Sequence, residues 1–170
     1  MDKQIASLFH FLIHALRDEI KNHARLLDVI REETQTLRES RLSEVLNIGI
    51  RKGAAFRQSE AAMQRRINAV SDIASYLHLE NSLPSFAELA PYVDATTRKT
   101  LTGYRDKFSD IVRGIKSANE TNRQIIALTL AHVSNDIDFM MNIAASLPNY
   151  DRYGQVSARS LQGEFISQTG

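Results

Sequence analysis

The placement of helix-breaking residues constrains the fold of this sequence more than any other feature. The three prolines are Pro84, Pro91 and Pro148, so none lies in the first 83 residues, and proline interrupts helices more strongly than any other residue. No segment combines β-branched residues, strict alternation and a hairpin turn such as Asn-Gly. The sequence therefore predicts an all-α protein with long helices on either side of Pro84 and Pro91.

Apolar residues that recur at three- and four-residue steps mark three long helices. The first is predicted from about residue 3 to about residue 38. The second begins near residue 42, after Ser40, whose hydroxyl is suited to cap it. The third begins after the capping residue Asp94 and ends before Pro148, and residues 86–89 are predicted to form a single turn in the connection. We expect an elongated antiparallel bundle or coiled coil.

The end of the chain is predicted to be separate from this bundle. Beyond Pro148 the large apolar residues after Val156 are only Leu161, Phe165 and Ile166, which are too few to bury a core. The predicted organisation is a helical domain at residues 1–147 and a flexible C-terminal tail at residues 148–170.

In the second helix, the residues predicted to form one apolar stripe along the helix surface follow one another in alternating steps of four and three. This is the spacing of a coiled coil. Two glycines one turn apart, Gly49 and Gly53, lie within the stripe. Glycines in a helical stripe allow another helix to approach closely, so we predict close packing here and destabilisation when Gly53 is replaced by Leu. The stripe comprises Leu42, Leu46, Gly49, Gly53, Phe56, Glu60, Met63, Ile67, Val70, Ala74 and Leu77.

The third helix is predicted to be longer than its partners. At about 1.5 Å per residue it exceeds the other two by about 20 Å, so part of its apolar stripe has no obvious partner within the chain. Its stripe also changes register near Asn122, where three successive four-residue steps occur. If the excess lies at its C-terminal end, these side chains are exposed: Ile137, Phe139, Met140, Met141, Ile143 and Leu147. Alternatively, the helices bend back or the protein dimerises.

Composition disfavours several classes of function. Lys+Arg 21 against Asp+Glu 20 gives a net charge of +1, which lacks the excess positive charge of a nucleic-acid-binding protein. The basic residues of the second helix, which include Arg51, Lys52 and Arg66, are therefore interpreted as a solvated face. The sequence contains no cysteine, which suits a reducing compartment, and no segment has the length of apolar sequence that a membrane span requires. We expect a soluble, cytoplasmic protein.

Candidate catalytic and metal sites are weak. His10 and His14 are four residues apart, but no Glu stands beside His10 as in a His-Glu-x-x-His site. Gly49 and Gly53 are not followed by the Lys-Ser or Lys-Thr of a phosphate-binding loop. No strand-to-turn scaffold is available to expose a nucleophilic serine. We predict a protein that is not an enzyme and that binds no metal or cofactor.

Several short motifs resemble the FlgN-type flagellar export chaperones. These are the Asn119-Glu120-Thr121-Asn122 segment, the apolar residues that follow it, and Tyr150-x-x-x-Gly154 before a polar tail. Leu12, Leu16 and Glu19 in the first helix, and Lys52 in the second, are less specific similarities. The resemblance covers roughly residues 5–160.

The resemblance implies a cytosolic chaperone of the flagellar type III export apparatus. Members of the family bind the C-terminal helical regions of the two hook–filament junction proteins, prevent their premature assembly and deliver them to the membrane export gate. The resemblance and the apolar stripe together give these candidate partner-binding residues: Asn119, Asn122, Ile126, Leu130, Val133, Ile137, Met140, Tyr150 and Gly154. This sequence departs from the pattern in a second tyrosine, Tyr153, and in a tail that continues to Gly170.

Two other classes of protein remain possible from the residues alone. A homodimeric coiled-coil adaptor or regulatory protein would use the same apolar stripe to pair with a second copy. A helical-bundle enzyme or phosphotransfer domain would need a reactive group at a prepared site, and no convincing motif for one is present.

Overall fold

The part of the chain that the structure describes is almost entirely helical. The computed structural model describes residues 3–146, 149–150 and 156–157. Its elements are α1 (Lys3–Arg38), α2 (Leu42–Tyr76), α3 (Phe86–Leu89), a 3₁₀ turn (Ala90–Tyr92), α4 (Ala95–Ser146), β1 (Asn149–Tyr150) and β2 (Val156–Ser157). The two short strands pair antiparallel, with Tyr150 opposite Val156. The predicted all-α class is confirmed.

The junction between α1 and α2 differs from the prediction. Ser40 has a φ of 54°, the backbone N–H of Arg41 donates to the Thr36 carbonyl, and that of Ser40 donates to the Leu37 carbonyl. This pattern is the Schellman motif, in which a residue in the left-handed conformation closes the preceding helix. The prediction that Ser40 caps α2 is therefore wrong: Arg41 occupies that position, and no side chain caps it.

The connection between α2 and α4 follows the local signals in the sequence. Ser85 and Glu88 form a reciprocal capping box at the start of α3. The Asp94 carboxylate accepts the backbone N–H of Thr97 at 2.7 Å, and hydrogen bonds from Thr97 hold the pKa of Asp94 below its ordinary value. This cap is complete above the ordinary pKa of an aspartate and weakens as the pH falls through the lower folded-state value.

The chain divides into two units, Met1–Ile126 and Ala127–Gly170, and α4 contributes residues to both. The predicted boundary between residues 147 and 148 stays a prediction. Most of the predicted tail lies outside the described residues, apart from the backbone of β1 and β2.

Within the first unit, ion pairs fix the relative direction of α1 and α2. Arg51 contacts Glu32 at 2.6 Å, and Arg66 contacts Glu19 at 2.6 Å. Residues late in α1 therefore face residues early in α2, which makes the two helices antiparallel. Arg51 is exposed, as expected of a solvated face, whereas Lys52 and Arg66 are half-buried and pair with the carboxylates of Glu33 and Glu19, so that interpretation does not hold for these two.

The first part of α4 runs parallel to α1. Arg17 donates to the Tyr104 hydroxyl at 3.3 Å, and Thr34 donates to the Asn122 side chain at 2.6 Å. Between these two contacts, the ring of His23 packs edge-on against Phe108. The contacts advance along both helices in the same direction.

Two apolar clusters hold the first unit together. The larger surrounds the start of α1, the end of α2 and the connection, and the smaller lies between Leu26, Ile30 and Ala55. The larger cluster comprises Ile5, Phe9, Leu12, Val70, Ile73, Leu89, Val93 and Leu101. Because Leu89 ends α3 and Val93 directly follows the 3₁₀ turn, the connection is part of the core.

Over the first half of α2, the residues of the predicted stripe are exposed and a different face of the helix is buried. The buried residues there are Ile48, Ala55, Ser59 and Ala62. A side chain added at Gly49 meets no atom within 4 Å, and one added at Gly53 meets only the flexible end of Arg57 at 3.6 Å. The prediction of close helix packing at these glycines is therefore wrong. The close approach is at Gly114 of α4, where a Cβ atom would lie 3.0 Å from Leu27.

Leucine at the two glycines should therefore have opposite effects on stability. Gly114→Leu should lower the free energy of unfolding by about 1–3 kcal/mol, because Leu27 is buried and leaves no room for a larger side chain. Gly53→Leu should raise it by about 0.5–1 kcal/mol, because leucine favours the helix and its Cβ meets only the flexible end of Arg57. Urea unfolding followed by circular dichroism measures both. Destabilisation by Gly53→Leu would show that α2 is covered at that position.

Candidate partner-binding surface

The second unit contains a stretch of α4 whose side chains are exposed throughout. Every residue from 127 to 144 is exposed, although the segment is rich in large apolar side chains. We call these residues the C-terminal surface: Leu128, Leu130, Val133, Ile137, Phe139, Met140, Met141 and Ile143. A cluster of this size on an exposed helix is typical of an interaction site.

The apolar residues of the C-terminal surface occupy two opposite faces of the helix. Steps of three and four residues place Leu130, Val133, Ile137 and Met140 on one face. By the same geometry, Leu128 and Phe139 lie on the other face. Helices that are apolar around most of their circumference are normally buried. The segment thus has the composition of a helix that another polypeptide covers.

The charge of this segment is negative. Between residues 127 and 146 the only charged side chains are Asp136 and Asp138. Methionine side chains adapt their shape to different apolar surfaces, and Met140 and Met141 follow Asp138 by two and three residues. An amphipathic helix with basic residues beside its apolar stripe matches this surface in both charge and hydrophobicity.

The structure assigns different environments to the predicted partner-binding residues. Leu130, Val133, Ile137 and Met140 are all exposed in the second unit. Ile126, the last residue of the first unit, is 42% exposed, and Asn119 is half-buried. The backbone of Tyr150 lies in β1, whereas Gly154 lies outside the described residues, as does Leu147.

Asn122 is engaged inside the first unit and is only 3% exposed. Its amide nitrogen donates to Glu33 Oε2 at 2.7 Å and to the Ile30 carbonyl at 3.3 Å. Lys52 of α2 contacts the same Glu33 carboxylate at 2.6 Å. This chain of polar contacts links α1, α2 and α4, so the buried amide holds α4 in register against α1. Its position argues against direct contact with a partner.

A second exposed apolar face lies on α2, and three of its residues, Leu46, Phe56 and Met63, belong to the stripe that was predicted to be packed. Leu46, Ile50 and Phe56 are 75%, 65% and 53% exposed. With Met63 these residues form what we call the α2 surface. The signal that could have distinguished it is the run of small residues on the other face, Ala55, Ser59 and Ala62, which permits α1 to pack closely there.

The histidine pair that was considered for metal binding forms a ring contact. The centroids of His10 and His14 are 4.5 Å apart in an edge-on arrangement. Within the described residues, no group of three His, Asp or Glu side chains is placed to hold a metal ion. None of the helices that the structure describes is long and apolar enough to cross a membrane.

Comparison with known proteins agrees with the motifs and the helical fold. A model of the FlgN protein family matches residues 1–158. No curated protein and no solved structure matches the chain. The match extends from α1 through β2, so it includes the C-terminal surface and the Tyr150-x-x-x-Gly154 motif. The chain belongs to the FlgN family, which is a family of chaperones of flagellum biogenesis.

Proposed function

We propose that this protein is a cytoplasmic chaperone of type III flagellar export. It binds the C-terminal helical segments of the hook–filament junction proteins, prevents their premature assembly and delivers them to the membrane export gate. The protein carries out no bond chemistry in this role and needs no cofactor.

The observation that carries the proposal is the exposed C-terminal surface in a member of a chaperone family. A junction protein that is kept from assembling must have its own apolar helix covered. The exposed stripe of Leu130, Val133, Ile137 and Met140 has the three- and four-residue spacing that packs against such a helix. Binding would bury apolar side chains of both proteins, and this burial is the main source of affinity.

The negative charge of this segment specifies the partner further. Asp136 and Asp138 border the stripe, and no lysine or arginine lies between positions 127 and 146. We expect the bound helix to place lysine or arginine beside its apolar residues. Such pairs at the rim of an interface chiefly speed association and select the partner, and salt screens them.

We assign different roles to Asn122, Asn119 and the tail. Asn122 acts as a positioning residue, because its amide is used within the first unit. Asn119, one turn earlier, is partly accessible. Tyr150 and Gly154 are proposed to contact the export gate, in keeping with the family motif.

Calorimetric titration of the full chain with C-terminal segments of junction proteins tests the proposal. We expect a saturable complex whose affinity falls as salt is added, because salt screens the charges at its rim. N-terminal segments of the same proteins provide the matched control and should not bind. Absence of binding to every C-terminal segment would contradict the proposed client.

The alternative, a homodimeric adaptor, uses the same exposed residues. Light scattering across a range of protein concentrations separates the two functions. A chaperone with a free surface should give a constant mass until the junction-protein segment is added, and the mass should then rise by that of the segment. A dimer that persists at low concentration and excludes the segment would favour the adaptor.

Deletion of residues 148–170 should separate client binding from gate binding. Helix content should be retained, because α1 to α4 end before residue 148. Binding to the cytoplasmic part of the export gate should weaken, and Tyr150→Ala in the full chain should reproduce the loss. Equal gate binding by the shortened and full chains would show that the gate contact lies elsewhere.

A further inference from the structure

A polar groove lies between the second half of α1 and the middle of α4, within the first unit. It has a volume of about 350 Å³. Its lining contains neither an acidic residue nor a large apolar one, so a partner must be recognised by charge and hydrogen bonds. We call it the α1–α4 groove, and it is lined by Arg31, Thr34, Gln35 and Arg38 of α1 and by Gly114, Ser117, Ala118 and Thr121 of α4.

The two arginines of the groove have guanidinium groups available to a partner. Arg31 contacts a carboxylate only at 3.9 Å, that of Asp28, and its side chain is 63% exposed. Arg38 is exposed and forms no ion pair with any residue that the structure describes. The neighbouring Glu39 is engaged by Arg41 at 2.7 Å. Because arginine binds carboxylates through two parallel hydrogen bonds, the groove is suited to an anionic partner.

The α4 wall of the groove adds one hydrogen-bond donor. Ser117 is exposed, and its hydroxyl has no hydrogen-bond partner among the described residues. The hydroxyl groups of Thr34 and Thr121 already donate within the first unit, to Asn122 and to the Ser117 carbonyl respectively. An anion in the groove therefore finds charged donors on α1 and a neutral donor on α4.

The spacing of the two arginines further defines the partner. Arg31 and Arg38 are seven residues apart, so they lie on the same face of α1 and about 10 Å apart along its axis. Long side chains on a helix lean toward its N-terminus, which preserves this separation. A single small anion can meet only one of the two arginines, whereas a helix with carboxylates seven residues apart can meet both.

Other anionic partners fit the groove less well. Nucleic acids bind along tracks of cations and stack their bases on aromatic side chains, whereas the groove has two arginines and no aromatic residue. A helix at a membrane surface inserts large apolar side chains, and none lines the groove. An acidic polypeptide needs only paired charges and hydrogen bonds.

We propose that the α1–α4 groove binds an acidic helical segment of another polypeptide, whose carboxylates lie two helical turns apart. One carboxylate pairs with Arg31 and the other with Arg38, and Ser117 supplies a further donor. This partner is opposite in charge to the helix expected at the C-terminal surface. The inference therefore does not depend on that surface or on the proposed client.

Alanine-based helical peptides of about 16 residues test the proposal on the full chain. One carries two glutamates seven residues apart, an isomer carries them four residues apart, and a control has glutamine at both positions. At low salt the first should bind about fivefold more tightly than the glutamine control, because two exposed pairs each contribute modestly. It should bind about twofold more tightly than the isomer, which can engage only one arginine. Backbone amide shifts in two-dimensional NMR measure the affinities and should map to Arg31, Arg38 and Ser117.

Variants of the groove should remove this preference. Arg31→Gln with Arg38→Gln should bind the glutamate and glutamine peptides equally. The matched control is Lys116→Gln with Arg123→Gln, which removes two exposed cations with the same seven-residue spacing from α4, outside the groove. This control should bind as the parent does. Ser117→Leu should weaken binding without a change of charge, because it fills the groove.

Inorganic phosphate and an oligothymidylate distinguish the other sources of negative charge. Phosphate should bind more weakly than the peptide with glutamates seven residues apart, and so should the oligothymidylate. Equal or tighter binding of phosphate at the same amides would assign the groove to a single small anion, and tighter binding of the oligothymidylate would assign it to nucleic acid. Either result would overturn the proposal. Equal binding of the glutamate and glutamine peptides by the parent chain, or equal losses in the groove and control variants, would also overturn it.

Discussion

Replacing Arg66 by Met is expected to lower the free energy of unfolding by about 3 kcal/mol. Arg66 is the partner of Glu19, whose side chain is 1% exposed. Removing one member of a buried ion pair leaves the other without compensation, and this costs far more than the pair contributes relative to an apolar replacement. Urea unfolding of the full chain, followed by circular dichroism, measures the change.

The neighbouring pair provides a matched control. Arg65 and Asp18 lie 3.9 Å apart, and their side chains are 54% and 59% exposed. Arg65→Met should change stability by no more than about 0.5 kcal/mol, because water screens an exposed pair. Exchanging both buried partners, Glu19→Leu with Arg66→Met, should recover most of the loss. Equal effects of Arg66→Met and Arg65→Met would show that water reaches Glu19.

The positions of the helix ends could be predicted because local residues determine them. Asp94 accepts the N–H of Thr97, and Pro148 follows the end of α4. The break between α1 and α2 was correctly predicted near residue 40, but the predicted role of Ser40 as the cap of α2 was wrong. A left-handed serine closes α1 there, and such a residue is usually glycine, so the sequence carried no strong signal for it.

The buried face of α2 could not be predicted from apolar periodicity. The heptad stripe through Leu46 and Phe56 is the more hydrophobic one, but α1 packs against the face with Ala55 and Ala62. Small residues permit a short distance between helices, and the ion pairs of Arg51 and Arg66 with α1 favour the same face. The period of the apolar residues indicates that a helix has an apolar face. Which face becomes buried depends on the helix that packs against it, here α1.

Some features of the candidate site could be predicted from the sequence, and others could not. The excess length of α4 made exposure of Ile137 and Met140 one of two alternatives, and both side chains are exposed. Asn122 lies on the predicted stripe of α4 and is buried, but its hydrogen-bond partners Ile30, Glu33 and Thr34 could not be foreseen, because they are distant in sequence. The buried Glu19 was missed for the same reason, since its partner Arg66 belongs to another helix.

Replacing Ile137 and Met140 together by Ser should separate stability from binding. Their side chains are 52% and 68% exposed, so the double variant should melt within a few degrees of the parent. In a packed core the same changes would cost about 2–5 kcal/mol per site. Binding to the C-terminal segments of junction proteins should weaken by at least about tenfold, or 1.4 kcal/mol.

The α2 surface offers a matched control for this result. Leu46 and Ile50 are 75% and 65% exposed, so Leu46→Ser with Ile50→Ser removes comparable exposed apolar area from another helix. This variant should bind the segments as the parent does. Loss of binding only in the α2 variant would move the client site to that surface while leaving the family assignment intact. Unfolding of the Ile137 and Met140 variant would instead show that those side chains are packed in solution, and the binding surface would have to lie elsewhere.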